Sequence, residues 1–352
     1  MLTKWQDSIW AILLLPLACF CYDSRDRTPW SKNKTHPVNS QKEIQELFDT
    51  SYLGNEVDAI ILDDGTPLQV VDVMLLPLNI SLQKFQMMRF AFSMGAYHSY
   101  VGLLKPKQLT EADITSRWRI DRTALLQFTY YYKMIELLFL SNRFNLSRDC
   151  DGKILTIGLG GGTINSFLHQ IFPQMNITAV EIDGQMIKMA RKWFGLLEDD
   201  HQRVIQADGV TFLADSVKKG DSYDAILLDA GGPQLESDFI CPHKSFLKKD
   251  VLRNIATLLP KHGIFISNAL HSSFNNVSSD EDMSKYDKRF QYLIEKFSTV
   301  FKYCYRKKAD VLNQVVYCLH QTPVPKLRTN IQHFLAENAN IISGTHIILN
   351  QQ

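Results

Sequence analysis

The chain has 352 residues, 45% of them apolar and 21% charged, with a formal net charge of +1. This is the composition of an ordinary globular protein with material for a sizeable core. Near-neutral charge without a long basic run excludes nucleic acid as a partner, and the tract Tyr305-Arg306-Lys307-Lys308 reads as a solvated strand end and turn.

At the N-terminus Lys4 precedes an apolar run from Ser8 to Cys21 that is interrupted by Pro16. The run is shorter than the roughly 20 residues that span a bilayer. Small Cys19 and Cys21 before Tyr22 complete the pattern of a cleavable secretory signal over residues 1–21, the alternative being a short membrane anchor. Sequons at Asn33, Asn79, Asn145, Asn176 and Asn276 agree with a glycoprotein that is secreted or held in the secretory-pathway lumen. No membrane span is expected once the signal is removed.

Residues 22–44 are polar, contain Pro29 and Pro37, and read as a flexible leader. Over 45–110 the chain alternates. DAIILDDGTPLQVVDVMLL carries an Asp-Gly turn between apolar runs and KFQMMRFAFSMGAYHSYVGLL follows, which predicts the antiparallel hairpins of a small β domain. Ile120 to Leu140 has apolar residues at helical spacing and predicts a long buried helix, with Tyr130, Tyr131 and Tyr132 in the core.

From Asp151 the pattern changes to strand–helix alternation. Strands are expected over 153–157, 178–182, 203–206, 225–228 and 263–267, with helices between them that include 184–193, 210–217 and 246–259. Such alternation with short turns implies an α/β fold built on a parallel, doubly wound sheet. A helix over 285–297 and an antiparallel hairpin around Cys304 and Cys318 complete a domain spanning 111–325, and 326–352 is left as a C-terminal tail. Four cysteines follow the signal (Cys150, Cys241, Cys304 and Cys318), and the absence of a CxxC pair argues against a zinc site. A hairpin centred near Val311 sets Cys304 opposite Cys318, as a cross-strand disulfide or as two buried thiols.

The first parallel strand runs into Gly158-Leu159-Gly160-Gly161-Gly162-Thr163. Thr163 stands where a dinucleotide loop has its third glycine. Gly158, Gly160 and Gly162 instead let the strand turn sharply beneath a nucleoside with an amino-acid tail, with no pyrophosphate to cradle. Glu181 ends the next strand, where a carboxylate takes both ribose hydroxyls. Asp208 and Gly209 follow the third strand, where an acid accepts from an adenine amino group, and Asp229 ends the fourth at the open edge of the sheet. Each acid alone reads equally as a surface group or helix cap. Their order after a glycine loop points to S-adenosylmethionine.

With IGLGGG, FPQMNITAVEIDGQMIKMARKWFG, ADGVTFL, YDAILLD, CPHKSF and YRKKADVLNQVVYCLH in place, residues 45–321 resemble the spermidine-synthase-like branch of class I methyltransferases. Within it the resemblance is strongest to the C-terminal domain of the elongation factor 1-alpha methyltransferases. The resemblance implies a Rossmann-like class I methyltransferase sheet, five parallel strands plus a terminal antiparallel hairpin, preceded by a small N-terminal β domain. It implies S-adenosylmethionine as cofactor, and folds of this branch often form homodimers. Spermidine synthases place one carboxylate inside the glycine loop and a second in an Asp-x-x-Asp-Pro pattern. Here those places are Gly161 and, in Asp229-Ala230-Gly231-Gly232-Pro233, Gly232. Losing one partner of a buried charge pair costs about 2–5 kcal/mol, so polyamine synthesis is disfavoured. The methyltransferase relatives carry Val-Gln-Ser-Glu near the donor where this chain has Tyr97-His98-Ser99-Tyr100, and their cysteines match Cys241 and Cys318 but not Cys304.

The sequence therefore predicts N-methylation of a protein or small-amine acceptor, with Asp229 as orienting group or base and Asn268 and His271 as helpers. Two alternatives stay open. One is a catalytically silent secreted binding protein, which the changes at His98 and Tyr100 favour. The other is aminopropyl transfer.

Overall fold

The computed structural model describes residues 55–75, 86–93, 96–104, 106, 115–126, 129–141, 143–232, 238–271, 280–309, 313–322 and 333–335. The expected signal and leader, Pro233, Val311, Asn33, Asn79 and Asn276 lie outside them, as does the expected tail apart from 333–335.

The N-terminal unit is one antiparallel sheet of β1 (Asn55–Ile61), β2 (Pro67–Leu75), β3 (Gln86–Ser93), β4 (Ala96–Leu104) and β5 (Arg119–Asp121), paired in chain order. The Asp-Gly turn forms the first hairpin: Gly65 has φ +85° and Leu62 N donates to Thr66 O. Period-2 alternation gives the sheet two apolar faces. Leu68, Val70, Ala91 and Val101 pack on Met186, Met189 and Phe194, while Val73, Met88, Phe90 and Tyr100 face the opposite core. Asp72 sits opposite Arg89, and the two form a buried bidentate ion pair at 2.6 and 2.8 Å. Arg89 also donates to the carbonyls of Trp193 and Thr115, tying the sheet to its neighbours.

Two sequence expectations shift here. The sheet extends past 110, because Gly102, Leu103 and Leu104 of β4 pair with β5. The helix expected over 120–140 is shorter: α1 is Tyr130–Leu138. Ile120 and Asp121 are held in β5, and the buried Asp121 carboxylate accepts from Thr123 N and Oγ1, which favours a turn. The helix starts where Thr129 accepts from Tyr132 N as its N-cap.

The second unit contains β6 (Lys153–Ile157), β7 (Asn176–Glu181), β8 (Gln202–Gln206), β9 (Ala225–Leu228), β10 (Phe239–Cys241), β11 (Ile264–His271), β12 (Tyr303–Lys308) and β13 (Asn313–Leu319). Its helices are α2 (Thr163–Ile171), α3 (Gly184–Trp193), α4 (Gly209–Lys219), α5 (Lys249–Leu258) and α6 (Asp280–Ser298). The strand order β12-β13-β11-β9-β6-β7-β8 makes β8, β7, β6, β9 and β11 a parallel set, with β13 and β12 as the terminal antiparallel hairpin. This is the expected α/β sheet. The short β10, which the sequence reading lacked, adds to the end of β11. β6 and β9 are buried on both faces, so they read as unbroken apolar runs. The chain moves outward from β6 to β8, then returns to β9 on the other side of β6. That reversal is the topological switch point at which such sheets bind ligands.

Cys304 pairs with Cys318 in the β12–β13 register, and the two are disulfide-bonded with Cα atoms 4.2 Å apart. Cys150 and Cys241 are free and buried. Near the C-terminus Phe334 is buried with its ring stacked on Phe172 at 5.6 Å, so this part of the expected tail belongs to the core. Among the described residues no helix is long and apolar enough to cross a membrane, and no group of His, Cys, Asp and Glu is placed to hold a metal ion.

Candidate functional site

The glycine loop links β6 to α2 at the switch point. Gly158 takes φ +88°, and a Cβ there would lie 2.3 Å from the Asp229 carbonyl oxygen. Only glycine lets the ends of β6 and β9 come this close. Gly160 and Gly162 also have positive φ, and Gly162 is the N-cap of α2. Strand β4 of the N-terminal sheet lies against the same loop. Ser99 Oγ accepts from Gly161 N at 2.6 Å and donates to His98 O, while Thr163 Oγ1 donates to Tyr100 O. Ser99 satisfies a buried backbone N–H that would otherwise be orphaned.

Glu181 stands at the end of β7 beside the loop. Its Oε2 accepts from Leu159 N at 2.9 Å and Gly160 N at 3.4 Å, and its Oε1 accepts from Asp183 N at 3.0 Å. Three of the four lone-pair sites of the carboxylate are then taken, and Oε1 keeps one that can accept from a ribose hydroxyl. Ile182 beside it is 64% exposed. Asp208 caps α4, with Oδ1 accepting from Thr211 N and Oγ1 at 2.8 and 2.9 Å, which realises the cap reading and uses one of its two oxygens. Gly209 begins α4 with its Cα close to Ile157 and Phe246, where a Cβ would collide at 2.7 and 3.0 Å.

Asp229 follows β9 and sits directly across the switch point, its N–H donating to Ile157 O at 2.8 Å. Asn268, on β11, donates Nδ2 to Asp229 Oδ1 at 2.9 Å. The Tyr130 hydroxyl also hydrogen-bonds the carboxylate, and the Cys241 thiol lies 3.7 Å from Oδ1. Burial pushes the Asp229 carboxyl up to about 6, against the pull of these donors and with a further push from Glu181. The Asn268 Oδ1 is buried with no hydrogen-bond partner among the described residues. A small pocket runs from Asp229 and Gly158 to Tyr131 and to the pair Asn165–Thr156, joined at 2.9 Å.

The structure thus gathers Gly158, Gly160, Gly162, Glu181 and Asp229 at one edge, with Asp208 and Gly209 at the start of the neighbouring helix. It separates His271 from them. That ring is fully buried, edge-on to Phe239, with Nε2 2.5 Å from Arg289. His271 therefore drops out as a helper, whereas Asn268 is in place. Tyr100 is a core residue whose hydroxyl accepts from Leu126 N, so it does not take up a donor-facing acid's role. The Tyr130–Tyr131 pair, read from sequence as core, is indeed buried but also serves the site. Its rings stack at 4.1 Å, Tyr130 reaches Asp229, and the Tyr131 hydroxyl donates to His98 O. A tyrosine pair at helix start carries no sequence signal for this, because the partner carboxylate is about a hundred residues away.

Residues 146–313 match the model of the spermine/spermidine synthase domain. The chain is 30% identical over 214 residues to the eEF1A lysine and N-terminal methyltransferase of Xenopus laevis, a match covering 60% of this chain and 28% of that protein. Among solved structures it is similar to human methyltransferase-like protein 13 in complex with SAH, with 27% identity, 60% of this chain and 90% of that one covered, and a TM-score of 0.48. It is also similar to a probable spermidine synthase from Corynebacterium glutamicum, with 12% identity, 84% and 98% covered, and a TM-score of 0.52. The last of these shows the shared fold. The chain spans only 28% of the length of the Xenopus relative. The expected secreted or secretory-lumen localisation is overturned, because the relatives are methyltransferases of eEF1A, a cytosolic translation factor. An apolar N-terminal run and scattered sequons are short, frequent patterns, which is why they misled. Residues 146–313 are thus similar to the spermine/spermidine synthase domain.

Proposed function

We propose that the chain is an S-adenosylmethionine-dependent methyltransferase that N-methylates a protein or small-amine acceptor. The observation that carries this reading is Asp229, a partly buried carboxylate held by Asn268 and Tyr130 at the switch point, opposite a glycine loop tied to Glu181. The residues fit the donor. The glycines let the loop turn tightly at the ends of β6 and β9, Glu181 Oε1 has a free lone pair for a ribose hydroxyl, and Asp208 keeps an oxygen for the adenine amine. The donor supplies an electrophilic methyl group when bound.

Asp229 orients the acceptor by accepting from its ammonium, then takes one proton so that the nitrogen lone pair faces the methyl carbon. A carboxyl near 6 is ionised at neutral pH yet closer to the amine in proton affinity than an ordinary aspartate. The unpartnered Asn268 carbonyl offers the same amine a second acceptor. Names of the relatives support a protein acceptor, since they act on eEF1A at lysine and the N-terminus. Aminopropyl transfer is opposed by packing as well as by sequence. A Cβ at Gly161 would meet Phe194 at 2.7 Å and Ser99 at 2.9 Å, so the loop has no room for the carboxylate that polyamine synthesis places there.

The test is transfer of labelled methyl from S-adenosylmethionine to purified eEF1A and to peptides with free α-amines or lysines. Wild type should label at least one of them, and Asp229→Asn should lose at least 100-fold in rate, the usual range for a positioned proton acceptor being about 10²–10⁴. Equal labelling by the two proteins would remove Asp229 from the chemistry.

A further inference from the structure

The first hairpin of the N-terminal sheet ends against the turn that carries Glu181. Asp63, in the β1–β2 turn, makes a reciprocal pair with the start of α3: its N–H donates to Asp183 Oδ2 at 2.7 Å, and its Oδ2 accepts from Gly184 N at 2.7 Å. Asp183 spends its other oxygen on Met186 N at 2.8 Å as the α3 N-cap. The Asp183 N–H in turn donates to Glu181 Oε1, and Glu181 Oε2 holds Leu159 N and Gly160 N. One unbroken run of hydrogen bonds therefore leads from the hairpin tip, through the Asp183–Gly184 turn, to Glu181 and the glycine loop.

We infer that Asp63 is a positioning residue of the donor site, locking the Asp183–Gly184 turn so that Glu181 keeps the orientation that receives a ribose. The inference rests on the donor reading above. The geometry favours it over a merely cohesive contact. The hairpin is already anchored elsewhere, by Asp58 on Lys192 and on Trp193 Nε1, and by Val57 and Ile60 packed with Met186, Met189 and Phe194. Asp63 itself is exposed, and its two hydrogen bonds set the direction of two groups next to Glu181. Small errors in the placement of a binding group are costly because the ligand must then pay to order it.

The experiment compares wild type, Asp63→Ala, Asp63→Asn and Glu181→Ala by titration with S-adenosylhomocysteine, by thermal midpoint without ligand, and by amide hydrogen exchange. Asn keeps an oxygen for Gly184 N, whereas Ala does not. Asp63→Ala should weaken S-adenosylhomocysteine about tenfold, the scale of one lost charge-assisted hydrogen bond. It should also speed exchange at Gly184, Asp183, Leu159 and Gly160 while exchange in β6 and β9 stays unchanged, and Asp63→Asn should restore most of both. Unchanged exchange at Leu159 and Gly160, or weakening that tracks a fall in thermal midpoint and is not rescued by Asn, would overturn the inference. Absence of binding by wild type would sink the donor reading instead, and the exchange data would still decide whether Asp63 controls the turn.

Discussion

Asp229 shows how one residue can be costly to the fold and useful to the site. Burial raises its carboxyl from the ordinary 3.8 to about 6. The folded state therefore holds a proton that the unfolded chain has lost between those values. The contribution of Asp229 to stability is fullest below about pH 4, falls as pH rises to about 6 and stays reduced above, by about 3 kcal/mol. Asp229→Asn should accordingly be more stable than wild type at pH 7.5 and indistinguishable near pH 4, as read by urea unfolding. Activity should run the other way. Wild-type kcat/KM should rise with pH through an acid limb near 6, a limb that moves upward in Asn268→Ala and Tyr130→Phe because each removes a donor that favours the charged form. A pH profile unmoved by both substitutions would place the titrating group elsewhere.

At the scale of elements, local pattern and long-range contact divide what the sequence reveals from what it hides. β6, β9 and α3 have the bounds their apolar runs and caps imply, since Asp183 caps α3 and Gly158 and Gly162 bracket the loop through backbone freedom alone. The β12–β13 pairing is equally local, and the two-residue side-chain period sets Cys304 against Cys318. Closing a loop of this sequence separation, 14 residues, stabilises by about 3 kcal/mol through the unfolded chain. Cys304→Ser should lose that amount in non-reducing denaturation, and wild type with reductant should match it. Peptide mapping that finds both thiols free would refute the bond. Ser99 on Gly161, Asp63 on Gly184 and Tyr130 on Asp229 join residues far apart in the chain, and no spacing rule finds them. The helix expected over 120–140 failed for a related reason: apolar periodicity gives no warning that Asp121 prefers a turn with Thr123.

For the molecule as a whole, the N-terminal sheet and the parallel sheet act as one device. β4 seats the glycine loop through Ser99 and Tyr100, the first hairpin meets the Glu181 turn, and the Asp72–Arg89 pair reaches Trp193 at the end of α3. Phe334 stacks on Phe172 within the core that also takes in Phe90 and Tyr100 of the N-terminal sheet. The proposed donor site is therefore built by both units, and the proposal stands or falls on whether it binds S-adenosylmethionine. Calorimetric titration of the purified chain with S-adenosylmethionine, S-adenosylhomocysteine and the decarboxylated donor, with Glu181→Ala alongside, tests it most directly. Saturable binding of the first two is expected, with weaker binding of the decarboxylated form and loss of all three in Glu181→Ala. Preference for the decarboxylated donor would return the chain to polyamine chemistry, and no binding of any of the three would mean that the switch point holds no such donor.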